Sequence, residues 1–284
     1  MWLLLALLSS LTFGLAGFMM KASQAKQGET AALLWGLYAS GTAGFALWMM
    51  RQDSVDLSAW TWLAGLVVGA GSAWGNLLFM KALDSGPASL TSPIVNLHTA
   101  FTVLLSVLAY GERLTWQEWT GVLLLTATAA LLPVDPDEQL RIRDPRWYAL
   151  VWLAAGLFFL RNGGLKITEE AGMDNTSILF VSYLFGLLWF TPPFLRTRAS
   201  GIDRGSLRTG LVWGLASGIF SFAGMQVYAM ALESGPASIV APIFSTNSLV
   251  VAVMSMAVFR ERLSRMQTFC LIFFFIGMFL VRSG

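Results

Sequence analysis

A chain of 284 residues that is 56% hydrophobic and only 12% charged, with a mean hydropathy of +0.66, carries more apolar surface than one water-soluble core of its size needs. The surplus has to face lipid, and a net charge of +2 carried in short basic clusters excludes the contiguous basic face that nucleic acid requires. One cysteine and one histidine rule out an intramolecular disulfide and most zinc, haem or iron–sulfur arrangements, so no metal or cofactor is expected.

Stretches free of Asp, Glu, Lys and Arg mark ten expected transmembrane helices, an all-α integral membrane fold. The first, 1–20, lacks the basic start and cleavage site of a signal peptide and reads as a membrane span. The second, 30–50, carries Tyr38, and the third, 57–80, carries Trp74 and Asn76. Gly65, Gly69, Gly71 and Gly75 give that third span a small-residue face on which helix backbones approach closely. The fourth, 85–111, has Pro87 in its first turn and Pro93 further in, followed by Asn96, His98 and Thr99. The fifth, 119–136, opens on a Thr115–Glu118 capping box. After a linker at 134–146 come 147–160, 175–195 with Tyr183, and 209–232 with Gln226. The ninth, 234–259, has Pro236 in its first turn and Pro242 further in, then Ser245, Thr246, Asn247 and Ser248. The tenth, 266–281, has its own Ser264–Gln267 box. Most runs reach the roughly 20 residues that cross about 30 Å of hydrocarbon, and they are too long and too continuously apolar for barrel strands. The shortest gain length from snorkelling neighbours such as Arg161 and Lys166.

The chain repeats itself. Ala82 to Val95 reads ALDSGPASLTSPIV and Ala231 to Phe244 reads ALESGPASIVAPIF, with nine of 14 positions identical at an offset of 149. The same offset matches Glu112-Arg113-Leu114 to Glu261-Arg262-Leu263. Upstream the offset becomes 145, pairing Lys21 with Lys166, Tyr38 with Tyr183 and Gly41 with Gly186. The halves are therefore 1–133 and 147–284. Five helices per half is an odd number, so the halves should enter the membrane in opposite directions, an inverted repeat suited to alternating access around a midplane site.

The Ser-Gly-Pro-Ala-Ser segments, the internal prolines and the Glu-Arg-Leu loops resemble the EamA-type drug/metabolite transporter superfamily. The resemblance spans the whole chain. It implies a multi-pass transporter fold and treats Glu112 and Glu261 as architectural marks, while leaving the substrate open.

Polar groups at span depth should face protein or a water-filled cavity. Pro93 and Pro242 are candidate kinks that expose backbone to that cavity. Beyond them, Asn96, His98, Thr99, Ser245 and Asn247 are candidates to line a substrate site, with interhelical hydrogen bonding as the plain alternative. His98 alone reads better as a hydrogen-bonded structural group than as a proton relay. Arg161 has no charged counterpart in the first half, where Ala16 stands. Two roles are open to it: a bidentate grip on a carboxylate or phosphate, or an interfacial anchor beside Lys166, the favoured reading. Gln226, Tyr38, Tyr183 and Trp74 complete the candidate lining. No Asp or Glu lies in the middle of a span, which disfavours a proton-coupled cation exporter.

The basic residues divide unevenly between the two sides of this topology. Arg51, Arg113, Arg161, Lys166 and Arg282 lie on one side and the other 13 of 18 on the other. The positive-inside rule then places both termini outside, although members of the resembled family more usually have both in the cytoplasm. The expected function is secondary transport of a small polar or amphiphilic metabolite, an amino acid among the possibilities, by a chain able to act as a monomer in the cell membrane. A lipid-handling flippase or a non-transporting membrane partner is the alternative. An enzyme is not expected, since no nucleophile–base or metal constellation is available.

Overall fold

The computed structural model describes every residue except 53–54, 86–90, 92–93, 132–143, 202, 260–264 and 284. Among the described residues the chain is helix and turn, with no strand. In chain order the helices are α1 (Trp2–Ala25), α2 (Thr30–Met49), α3 (Ala59–Ser85), α4 (His98–Tyr110), α5 (Trp116–Leu131) and α6 (Trp147–Glu170). They continue with α7 (Asn175–Ala199), α8 (Arg204–Ser234), α9 (Ala237–Ser245), α10 (Asn247–Phe259) and α11 (Arg265–Ser283). Each of the ten expected spans has its helix, and α9 and α10 divide the ninth. Five helices are long and apolar enough to cross a membrane: α1, α3 through Ala82, α6, α7 and α8.

Side chains set the starts of these helices. Glu29 accepts the Ala32 amide at 2.6 Å ahead of α2, and Asp174, 145 residues on, accepts those of Thr176 and Ser177 at 3.0 Å ahead of α7. The Thr115–Glu118 box closes in both directions, at 2.7 and 3.2 Å. Pro236 is the residue before the first turn of α9 rather than within it. Pro87, Pro93, Glu261 and Ser264 lie outside the described residues, as does most of the linker.

Two expected boundaries are corrected. The sixth span does not stop at residue 160, because α6 continues to Glu170. Arg161 is only 7% exposed and Lys166 is paired with Glu112 and Glu170, so neither charge needs to leave the helix for water. Among the described residues, the fourth and ninth spans are each broken at equivalent points. The Leu97 amide reaches back three residues to Ile94, and the Thr246 amide likewise to Ile243, both at 3.1 Å. In α9, Pro242 has no amide hydrogen to give the Ser238 carbonyl, so the ladder weakens and ends at Ser245.

Among the described residues, every extensive helix pairing joins one half of the chain to the other. In the first half, α1 packs on α8, α9 and α10, and α2 on α7 and α8. Likewise α3 packs on α6 and α7, α4 on α6 and α9, and α5 on α9 and α11. Neither half has a core of its own. The contacts recur when the halves are exchanged. A Cβ at Gly214 would stand 2.2 Å from the Leu33 carbonyl oxygen, and one at Gly218 2.2 Å from that of Leu37. Their counterparts Gly65 and Gly69 meet the carbonyls of Ile178 and Ser182 at 3.1 and 2.9 Å. Phe13 packs on Gly224, and Phe158 on Gly75. Along α2 and α7, Trp35 stacks on Phe194 and Phe45 meets Tyr183, so these two helices run antiparallel.

One loop crosses between halves to start a helix. The Glu112 carboxylate, after α4, accepts the amides of Ala237 and Ser238 at 3.1 and 2.9 Å and the Ser238 hydroxyl at 2.5 Å. Lys166 on α6 pairs with it at 2.7 Å. Glu112 therefore caps α9 of the other half rather than the α5 that follows it in the chain. Burial pushes the Glu112 carboxyl up, but the bonds from Lys166 and Ser238 outweigh it and hold the group below its ordinary 4.5.

A folded-state value below the unfolded one stabilises the chain above pH 4.5, and that contribution fades as pH falls through the lower folded value. Thermal unfolding in detergent from pH 7 to pH 3 should show this loss in the wild type and a flatter profile in Glu112→Gln. The same assay checks the cross-half packing. Gly218→Ala should cost about 1–3 kcal/mol by overpacking against the α2 backbone. Gly156→Ala, where no atom lies within 4 Å, should be neutral or stabilising by up to about 1 kcal/mol.

Candidate functional site

Where the two halves meet, six helices bring polar and aromatic side chains to one buried place. Tyr38 on α2 and Tyr183 on α7 meet edge to face, with ring centroids 5.6 Å apart. Each ring fills the space beside the other helix's glycine, Tyr38 over Gly186 and Tyr183 over Gly41. Their hydroxyls find equivalent partners, Tyr38 with Ser72 at 3.1 Å and Tyr183 with Ser221 at 2.6 Å. Asn76 also donates to the Tyr38 hydroxyl, at 3.2 Å.

Arg161 projects into this twofold setting from α6 alone. Its guanidinium lies 4.8 Å from the ring of Phe158 and 5.5 Å from that of Phe13, the residue equivalent to Phe158 in the first half. Nε donates to the Asn162 side-chain oxygen at 3.0 Å. Among the described residues no carboxylate pairs with it. The interfacial-anchor reading is thereby corrected: Arg161 is buried among aromatic rings. Lys166, one turn further along, is the residue held by carboxylates. A buried cation without an anionic partner costs several kcal/mol.

The other candidates divide. His98 is buried, donates from Nδ1 to the Val95 carbonyl at 2.8 Å and sits 5.7 Å from the Phe158 ring, at the edge of the site. Thr99 donates to Ser245 at 3.0 Å, joining the two broken spans. Ser245 in turn donates to the Ala241 carbonyl at 2.9 Å. Asn247, the first residue of α10, donates to the Phe244 carbonyl of α9 at 2.8 Å, across the break in the ninth span. Asn96 turns to α5 and donates to the Ala129 carbonyl at 2.7 Å. Gln226 is buried and donates to Thr176 at 2.9 Å. Pro242 is buried within α9, and Pro93 lies outside the described residues. Trp74 is 37% exposed and packs on Phe185 and Trp189.

Sequence reasoning passed over Phe13, Phe158 and Tyr228. The ring of Tyr228 packs 4.4 Å from Phe244, and its buried hydroxyl has no hydrogen-bond partner among the described residues. The offset of 145 that pairs Tyr38 with Tyr183 also pairs Phe13 with Phe158, and was a signal available for them.

With this geometry in hand, known proteins are informative. A solved crystal structure superposes with a TM-score of 0.77 at 17% identity, covering 98% of this chain and 96% of that one, which shows a shared fold. An uncharacterised transporter from the cobO 3' region of a Sinorhizobium species is 30% identical over 84 residues, 30% of this chain and 58% of that protein. A probable 4-amino-4-deoxy-L-arabinose-phosphoundecaprenol flippase subunit, ArnE, from Pseudomonas fluorescens (strain Pf0-1) is 32% identical over 75 residues, 26% of this chain and 62% of that protein. The match thus spans about three-fifths of each of these two relatives. The model of the EamA-like transporter family matches residues 1–133 and again 148–283, almost the whole chain in two copies, and the chain belongs to that family.

Proposed function

We propose that this chain is a secondary transporter that carries a small polar or amphiphilic metabolite across the cell membrane by alternating access between two inverted halves. The observation that carries the reading is the exchange of contacts across the halves. Equivalent helices α2 and α7 run antiparallel, and Gly214–Leu33 is answered by Gly65–Ile178. A pair of halves related this way has two near-equivalent packings, one open to each side, around the place where they meet. The buried cluster of Arg161, Tyr38, Tyr183 and Tyr228 occupies that place. Since the second half supplies the partner of the first, a monomer suffices. Both termini are placed outside on the charge bias.

A thermal-stability screen of the purified protein against a metabolite library identifies the solute. A ligand at 100 times its dissociation constant should add about 2.7 kcal/mol. The same compound should then drive exchange of its labelled form into proteoliposomes, whereas tight binding without passage would overturn transport. A second reading, movement of a lipid headgroup, draws on the likeness of 75 residues to the flippase subunit. It predicts no water-soluble hit, together with scrambling of a headgroup-labelled lipid in the same liposomes. Orientation has its own test. Ser283→Cys in a Cys270→Ala background should react with a membrane-impermeant maleimide in intact cells; protection until the cells are lysed would reverse the topology.

A further inference from the structure

We infer that the site where the halves meet takes an oxyanion, a carboxylate or phosphate group of the solute, on the free edge of the Arg161 guanidinium, with the Tyr228 hydroxyl as a further donor. The inference rests on the transport reading for its purpose but on the local geometry for its chemistry.

An arginine carries five N–H donors in a planar fork. Asn162 holds Nε, and the rings of Phe158 and Phe13 lie against the guanidinium at 4.8 and 5.5 Å. These contacts fix the plane of the fork while leaving both terminal nitrogens without a hydrogen-bond partner among the described residues. That edge matches the two oxygens of a carboxylate or phosphate, bound side by side. Arg161 is 93% buried by its 7% exposure, so a bound anion would meet the charge with little competition from water. Tyr228 supports the same assignment independently. Its hydroxyl is buried and lacks a partner among the described residues, and its ring packs on Phe244, which in turn meets Phe13, one of the two rings beside the guanidinium.

Nothing in the fold requires this arginine. Its equivalent in the first half is Ala16, and that half packs by the same helix contacts without a charge. Lys166, by contrast, is tied to Glu112 and Glu170 and is already neutralised. Arg161 is thus the cation at this depth that remains available to a solute. Cationic solutes are disfavoured at the same place, since no carboxylate among the described residues offsets the arginine.

The test is the unfolding temperature of the purified protein in detergent. Inorganic phosphate supplies the phosphate arm, and acetate, benzoate and glutamate the carboxylate arm. Acetamide and benzamide serve as neutral counterparts of acetate and benzoate, and chloride at equal ionic strength is the control that takes the counterpart's place for phosphate and glutamate. At least one oxyanion should raise the unfolding temperature where its neutral counterpart does not. Which arm responds tells a phosphorylated solute from a carboxylic acid. The shift should vanish in Arg161→Gln and weaken about tenfold in apparent affinity in Tyr228→Phe. Tyr228→Phe removes an unpartnered hydroxyl, so it should fold as well as the wild type and keeps the test readable if Arg161→Gln does not fold. Without ligand, Arg161→Gln should unfold no earlier than the wild type, because it removes an unpaired buried charge.

A shift that survives in either variant at full strength overturns the inference, as does the absence of any shift with all four oxyanions. Anion binding without flux in proteoliposomes would overturn transport and leave this site standing. Flux of a neutral solute unchanged in Arg161→Gln would do the reverse.

Discussion

The fold depends on how closely helix backbones from opposite halves approach one another. Inside lipid no hydrophobic force drives helices together, so contact area and shape decide which helices associate. Gly214 and Gly218 let α8 lie directly on the carbonyls of Leu33 and Leu37, and Gly65 and Gly69 do the same for α3 on α7. Between α2 and α7 the same device serves the tyrosines, each ring occupying the space that Gly41 or Gly186 leaves on the facing helix. Small residues thus set the spacing both where backbones touch and where the tyrosines meet.

The Glu112 contact shows the same logic at a helix end. A loop of one half donates its carboxylate to the start of α9 in the other, where two free amides and a hydroxyl converge. A helix that begins in the membrane region has unsatisfied amides that lipid cannot serve. The carboxylate meets that need, and Lys166 offsets the carboxylate in turn. The Glu-Arg-Leu and Ser-Gly-Pro-Ala-Ser segments looked like separate motifs in the sequence. For Glu112 and Ser238 they are two sides of one contact.

Much of this was legible beforehand, and the limits have physical causes. Helix positions followed from the absence of charge, and the equivalence of Tyr38 with Tyr183 followed from the offset of 145. The rule that located spans by missing charge was bound to cut the sixth at residue 160, since it cannot tell a buried arginine from one at a water boundary. Asn96 and Asn247 were weighed as solute ligands because they are polar and follow a proline. In the structure both donate to backbone carbonyls, at Ala129 and Phe244, a use that composition does not distinguish. Trp74 belongs to the partly exposed aromatic cluster with Phe185 and Trp189, and Phe13 and Phe158 to the interior, yet all lie in similar apolar runs. Only the repeat register separates them.

The twofold scaffold carries one arginine, not two, and this asymmetry has an electrical consequence. A positive charge that alternation carried through the membrane field would make the empty protein respond to voltage, at about 2.3 kcal/mol for each elementary charge moved through 100 mV. A bound monoanion would cancel that response. In a carrier built around Arg161, the loaded and empty forms would therefore feel the membrane field differently. The resting potential would act on the return of the empty site rather than on the passage of the solute.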